Sequence, residues 1–357
     1  MRCAYDRDSI VEKRLAGAVT FDVEPEEPAH SAERRIVELY LLQVYIKRAG
    51  PSIPFDQESS HELWVEAIPR MALKSKALLY SMFAIATLYQ MKHKDEDDSE
   101  SPGLLDGCSM EDEHGLYARL AFRCHRMDLS QVSPENIDII FTTANTMRLM
   151  AFVNLSERSL EPYCPPIEWL RMVKSHCQLY RMAWRLVKND PSTQTARLAR
   201  TTPIVWQPHL PIGSNEISRL NHILYAGHKG TTIDADDGSP DEWDRKTREA
   251  YSLTLKYICD ALQSIQRQES FGSIARNLML FPVVIPDQFI SLVDSCKPRA
   301  LVILGHYFAL LALLQRFWYI GDTGAREVEA LARFLPQRWQ KLMVWPLHII
   351  KSKNSTL

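Results

Sequence analysis

Two adjacent cysteine–histidine pairs, Cys124-His125 and His176-Cys177, and two acidic runs, Asp95/Asp97/Asp98 and Asp234/Asp236/Asp237, are the residues of this sequence whose types suit metal chemistry. Neighbouring residues on a helix point in different directions, so neither pair offers two ligands to one ion, and each reads as structural. The acidic runs stand among Ser, Pro and Gly and read as solvated loops rather than magnesium sites. No metal and no cofactor are expected. A Gly-x-Ser-x-Gly elbow, a phosphate loop, a dinucleotide glycine fingerprint and a His-Glu-x-x-His pair are all missing from the sequence. His306 lies within an apolar run. It is either a satisfied core histidine or a group that orients a ligand hydroxyl or carbonyl in an apolar pocket. With Asp322 it is the acid at hand if the chain is an enzyme.

The elements that must position these groups are helices. From Ala300 to Leu314 nearly every residue is apolar on all sides of a helical wheel, the mark of a helix covered by neighbours. The run is shorter than the roughly 20 residues of a membrane span, and Arg299 and Arg316 close it, so no membrane span is expected. Gly321 supplies a left-handed stop, Asp322 or Thr323 a cap, and Ala325 to Leu335 a second helix packed on the first. Upstream, the spacing predicts helices over 31–49 with Ile36, Leu39, Tyr40, Leu42, Val44 and Ile46 in the buried set, 61–67 ending near Pro69, 71–91, 113–129 and 133–152 opened by Ser133. Further helices are predicted over 166–187, 217–225, 241–268 and 287–293. No alternating strand-like run and no repeat occur. The expected fold class is all-α: a single large multi-helix domain over 31–350 with a buried C-terminal helix pair, preceded by a disordered linker over 1–30.

The 357 residues, 46% of them hydrophobic, can build a large core, and a formal charge of −2 offers no electrostatic footprint for nucleic acid. Seven cysteines without paired spacing predict reduced thiols inside the cell.

Three ordered segments, RALVILGHYFALL, WYIGDTGAREV and LPQRWQKLMVWP, resemble the C-terminal end of the fungal-specific transcription factor domain in its sterol uptake control protein-like branch. The resemblance runs from about Ser31 to Pro346. It departs from the family at Tyr89, where a histidine is frequent, and at Ser175 and His176, where a glycine is usual. The start MRCAYD is similar to the last fragment of a binuclear zinc cluster, with Cys3 as a relic of the sixth ligand, or it is an ordinary cysteine in a polar start. One such cysteine builds no cluster, so direct DNA binding by this route is not expected.

The resemblance implies an apolar cavity near the C-terminal helices that His306, Tyr307, Leu310, Phe317, Trp318, Met343 and Trp345 would line. It implies a hydrophobic small molecule (a sterol, terpenoid or polyketide) as a partner, together with a homodimer mate or a partner regulator. Two readings follow. One is a nuclear ligand-sensing or effector domain of a transcription regulator, without its own zinc cluster, acting in secondary-metabolite or sterol biosynthesis. The other is a cytoplasmic cyclase or isomerase derived from the same fold, with Asp322 and His306 as its acids.

Overall fold

The computed structural model describes residues 31–53, 61–93, 109–187, 190–196, 217–225 and 244–354. They are all-α, with no strand among the described residues. The helices of eight residues or more are α1 (Ala32–Val44), α2 (Lys76–Lys92), α3 (Met110–Leu129), α4 (Ile137–Val153), α5 (Ile167–Val187) and α6 (Ile217–Tyr225). They continue as α7 (Arg245–Gln266), α8 (Phe271–Met279), α9 (Asp287–Asp294), α10 (Pro298–Ala312), α11 (Thr323–Phe334) and α12 (Val344–Asn354). The expected linker over 1–30, with Cys3, lies outside the described residues, as do both acidic runs.

Two helices buried on all sides anchor one continuous core. In α2, every residue from Ala77 to Leu88 except Leu79 is buried, and in α10 every residue from Arg299 to Ala312 is. Helix α2 packs against α1, α3 and α4, while α10 packs against α7, α11 and α12. A helix flanked on that many sides has no face to leave polar, which is why both read as unbroken apolar runs.

The ends are set by local chemistry. Ser31 Oγ accepts the Arg34 N–H at 3.1 Å, and Ser109 and Asp112 form a reciprocal capping box at the start of α3. Pro298 opens α10 at a position where its missing N–H costs nothing, and Gly321 turns the chain at φ +50° before α11. Gly324 is the point of closest approach of the C-terminal pair. A Cβ built there would lie 2.5 Å from Ala312 N and 2.5 Å from Phe308 O, so only glycine lets α11 rest on the backbone of α10.

Four expectations are corrected. In α1, Ile36 and Leu39 are 55% and 66% exposed, and Arg34, Val37 and Leu41 join the expected Val44 in the buried stripe. Arg34 rotates inward because its guanidinium meets the buried Glu113 carboxylate at 2.5 Å and Tyr117 Oη at 3.2 Å. The segment at 61–67 does not stop at Pro69: a π-turn over Glu62–Ala67 runs into Ile68–Ala72, where Pro69 occupies the first turn. The next helix, α2, starts after the Ser75 cap rather than at Met71. Helix α4 begins at Ile137 and not at Ser133: residues 134–136 form a turn, with Ile137 N–H on Ser133 O at 3.0 Å and Asn136 Oδ1 accepting the Ser133 N–H at 2.8 Å.

Candidate functional site

The C-terminal helices place the seven expected lining residues in three separate environments. His306 is 1% exposed in the middle of α10. Its Nδ1–H donates to Val302 O at 2.9 Å; the carbonyl can only accept, so the ring is the Nδ1–H tautomer with Nε2 as an acceptor. Burial pushes its pKa down to about 4, so the ring is neutral at pH 7. Trp345 of α12 stacks on it at 5.4 Å and 11°. Met343 packs on the preceding residue, where a Cβ on Gly305 would meet Met343 Cε at 2.5 Å. Trp345 is thus brought onto His306, while Met343 covers the neighbouring Gly305.

Tyr307 is one residue further round the helix and faces elsewhere. Its hydroxyl donates to Leu278 O at 3.1 Å, and its ring stacks on Phe281 at 3.9 Å and 13°. Leu310 is buried in the same core. Trp318 forms the third group: its Nε1–H donates to Ser52 Oγ at 2.8 Å and its ring meets the edge of Tyr89 at 5.3 Å, tying the turn after α10 to α2 and the N-terminal helices. Phe317 stacks on Tyr319 at 5.6 Å. Asp322 is exposed at the cap position of α11 and makes no side-chain capping bond, and no hydrogen bond joins it to His306.

A second polar centre went unread in the sequence. Glu327 on α11 is buried and receives Arg158 Nε–H on Oε1 at 2.6 Å and the Tyr163 hydroxyl on Oε2 at 3.2 Å. Arg158 also donates to Cys164 O at 2.6 Å. Burial raises the Glu327 carboxyl more than Arg158 lowers it, so its pKa lies above the ordinary carboxylate value. Beside this cluster opens a surface cleft of about 420 Å³ lined by Ser159, Leu160, Glu161, Arg326, Glu329 and Arg333. Its two arginines and two carboxylates balance. Glu327 was legible only as one of several charges on an amphipathic helix, since its partners are more than 160 positions away in sequence.

No group of three or more His, Cys, Asp or Glu side chains among the described residues is placed to hold a metal. The five described cysteines, Cys124, Cys164, Cys177, Cys259 and Cys296, lie on different elements and are free thiols, so they do not fit a six-thiolate zinc cluster. No described helix is long and apolar enough to cross a membrane.

The fold and this interior define an all-α helical architecture whose C-terminal helices hold stacked aromatic pairs such as Phe281–Tyr307 and His306–Trp345. Among curated proteins, the chain is 24% identical over 313 residues to a Zn(2)-C6 fungal-type transcription factor, afumD, of Aspergillus fumigatus, covering 86% of this chain and 76% of that protein. It is 23% identical over 342 residues to a Zn(2)-C6 fungal-type transcription factor of Gibberella zeae, covering 90% of this chain. It spans 63% of that second relative, less than two thirds of its length. No family model matches the chain. The chain is therefore similar over most of its length to fungal Zn(2)-C6 transcription factors, as its C-terminal motifs predict. That similarity supports a role in transcription regulation.

Proposed function

We propose that this chain is the effector part of a nuclear transcription regulator, and that its described helices do not themselves contact DNA. The observation that carries the reading is similarity to two transcription factors across 86% and 90% of the chain. The scatter of the five described cysteines supports the second half of it. The finer reading is that a hydrophobic small molecule, of sterol, terpenoid or polyketide type, is sensed beside α10 and α12, in secondary-metabolite or sterol regulation. Its support is chemical: the neutral His306 offers Nε2 as an acceptor beside Trp345, a setting suited to one ligand hydroxyl. Tyr307, Leu310, Phe317 and Trp318 would then act as the packed surround. The exposed Ile36 and Leu39 on α1 offer a face for a second copy or a partner regulator. No geometry favours turnover through Asp322 and His306.

The test is a fusion of the chain to an unrelated DNA-binding module in a fungal reporter strain. Reporter output should change relative to the module alone, and a His306→Phe variant should lose any response to added lipophilic extract. An abundant, nuclear fusion that leaves output at the level of the module alone refutes the regulatory reading.

A further inference from the structure

The connection between the helical turn Asn154–Glu157 and α5 is fixed to α11 at two points. At the first, Arg158 Nε–H donates to Glu327 Oε1 at 2.6 Å, and Arg326 Nη2–H donates to the Arg158 carbonyl at 3.2 Å. At the second, the Tyr163 hydroxyl donates to Glu327 Oε2 at 3.2 Å and the Tyr163 ring meets Phe334 at 5.3 Å. Ser159, Leu160 and Glu161 arch between these points. The Ser159 hydroxyl holds the arch in shape, donating to Glu161 O at 3.0 Å and accepting the Glu161 N–H at 3.3 Å. The cleft of about 420 Å³ is the space between, with these three residues on one wall and Arg326, Glu329 and Arg333 of α11 on the other. Its volume is that of a small-molecule site. Both walls are fixed by bonds internal to the chain, so a ligand entering the cleft has little backbone left to order.

The charges of the cleft alternate. Arg326, Glu329 and Arg333 are three and four positions apart, which puts them on one face of α11 in the order plus, minus, plus. Glu161 adds a second carboxylate from the arch, and Leu160, half-buried against the core, supplies the apolar surface. Pairs of opposite charge along one helix face contribute little to stability, so these side chains can turn to a ligand at small cost. An anion would meet two carboxylates here, and a cation two guanidiniums. A molecule that carries both charges a few bonds apart meets a partner for each.

We propose that the cleft between α11 and residues 159–161 binds a small zwitterion with a free α-ammonium, a free α-carboxylate and an apolar side chain: an apolar amino acid or its dipeptide. Its carboxylate pairs with the guanidiniums that flank Glu329, its ammonium with the Glu329 and Glu161 carboxylates, and its side chain packs on Leu160. A planar carboxylate matches the guanidinium fork, and Arg326 is already held in place by the Arg158 carbonyl. The proposal does not rest on the regulatory reading.

The experiment is a saturation-transfer NMR titration of the whole chain with leucine and with leucyl-leucine, each also as its N-acetyl and its amide form, which lack one charge apiece. The parent should bind at least one zwitterion at least about tenfold more tightly than either blocked form, the share expected of one charge-assisted bond. Binding of leucine without the dipeptide identifies a free amino acid as the ligand, and the reverse a peptide with open ends. Arg326→Gln/Arg333→Gln should weaken binding of the zwitterion and the N-acetyl form and leave the amide form unchanged. Glu161→Gln/Glu329→Gln should weaken binding of the zwitterion and the amide form and leave the N-acetyl form unchanged. Both glutamates are exposed, so this second variant should unfold at the parent temperature, and it carries the test if loss of the Arg326 bond to Arg158 O prevents the first from folding. Blocked forms that bind as well as the zwitterions, charge variants that bind like the parent, or no saturable binding of either zwitterion to the parent overturn the proposal.

Discussion

The buried Glu327 cluster permits a sharp test of what joins the C-terminal helix pair to the middle of the chain. Two hydrogen bonds reach the carboxylate, from Arg158 Nε–H at 2.6 Å and the Tyr163 hydroxyl at 3.2 Å, and Arg158 Nη2 stands 2.5 Å away as an ion-pair contact without hydrogen-bond geometry. Truncation by Glu327→Leu strands the Arg158 guanidinium, whose side chain is mostly buried, and frees the Tyr163 hydroxyl; deleting one partner of such a pair costs about 3–5 kcal/mol. Yet burial outweighs Arg158 in setting the Glu327 carboxyl above its ordinary range, so the pair as a whole adds little over two well-packed apolar side chains. The double variant Arg158→Met/Glu327→Leu should therefore recover most of the loss. It should remain about 1–2 kcal/mol below the parent, because the Cys164 carbonyl loses its donor. Urea unfolding of the four chains, followed by circular dichroism, closes the cycle, with an expected coupling of at least about 2 kcal/mol. A single-variant cost under about 1 kcal/mol, or a double variant as unstable as the sum of its parts, refutes the assignment of this cluster as a mutually dependent buried unit.

Glycine replacements should separate backbone contacts from side-chain ones. Gly324→Ala drives a Cβ to 2.5 Å from two backbone atoms of α10 and should cost about 2–3 kcal/mol in thermal unfolding, whereas Gly305→Ala meets only the flexible end of Met343 and should cost about 1 kcal/mol or less. The reverse order would mean that α10 and α11 are not held at this separation. The chain should also be acid-labile. His125 and His306 fall from 6.5 to about 4 on burial, so their contribution is full above pH 6.5 and is lost as pH falls toward 4, by up to about 3 kcal/mol each. Unfolding free energy that stays level between pH 7 and pH 4.5 would contradict their burial as neutral rings.

How much of this was legible depended on whether one segment or a distant partner decided the outcome. Helix α10 could be read because its burial on every side leaves an unbroken apolar run, and α6 carries the bounds that its spacing predicts. Helix α1 was read with Ile36 and Leu39 wrongly inward, while Val44 is buried and Tyr40, Leu42 and Ile46 pack on the core as read; what the sequence could not show is Arg34 with Glu113, 79 positions away, which turns a charged residue into the core. The start of α4 shifted by one turn: Ile137 N–H reaches Ser133 O at 3.0 Å and Asn136 Oδ1 accepts the Ser133 N–H, so 133–136 form a turn that leads into the helix from Ile137. At the C-terminal helices, aromatic spacing identified residues that are buried or half-buried, but could not tell that Tyr307 and Trp318 face away from His306 toward Phe281 and Ser52.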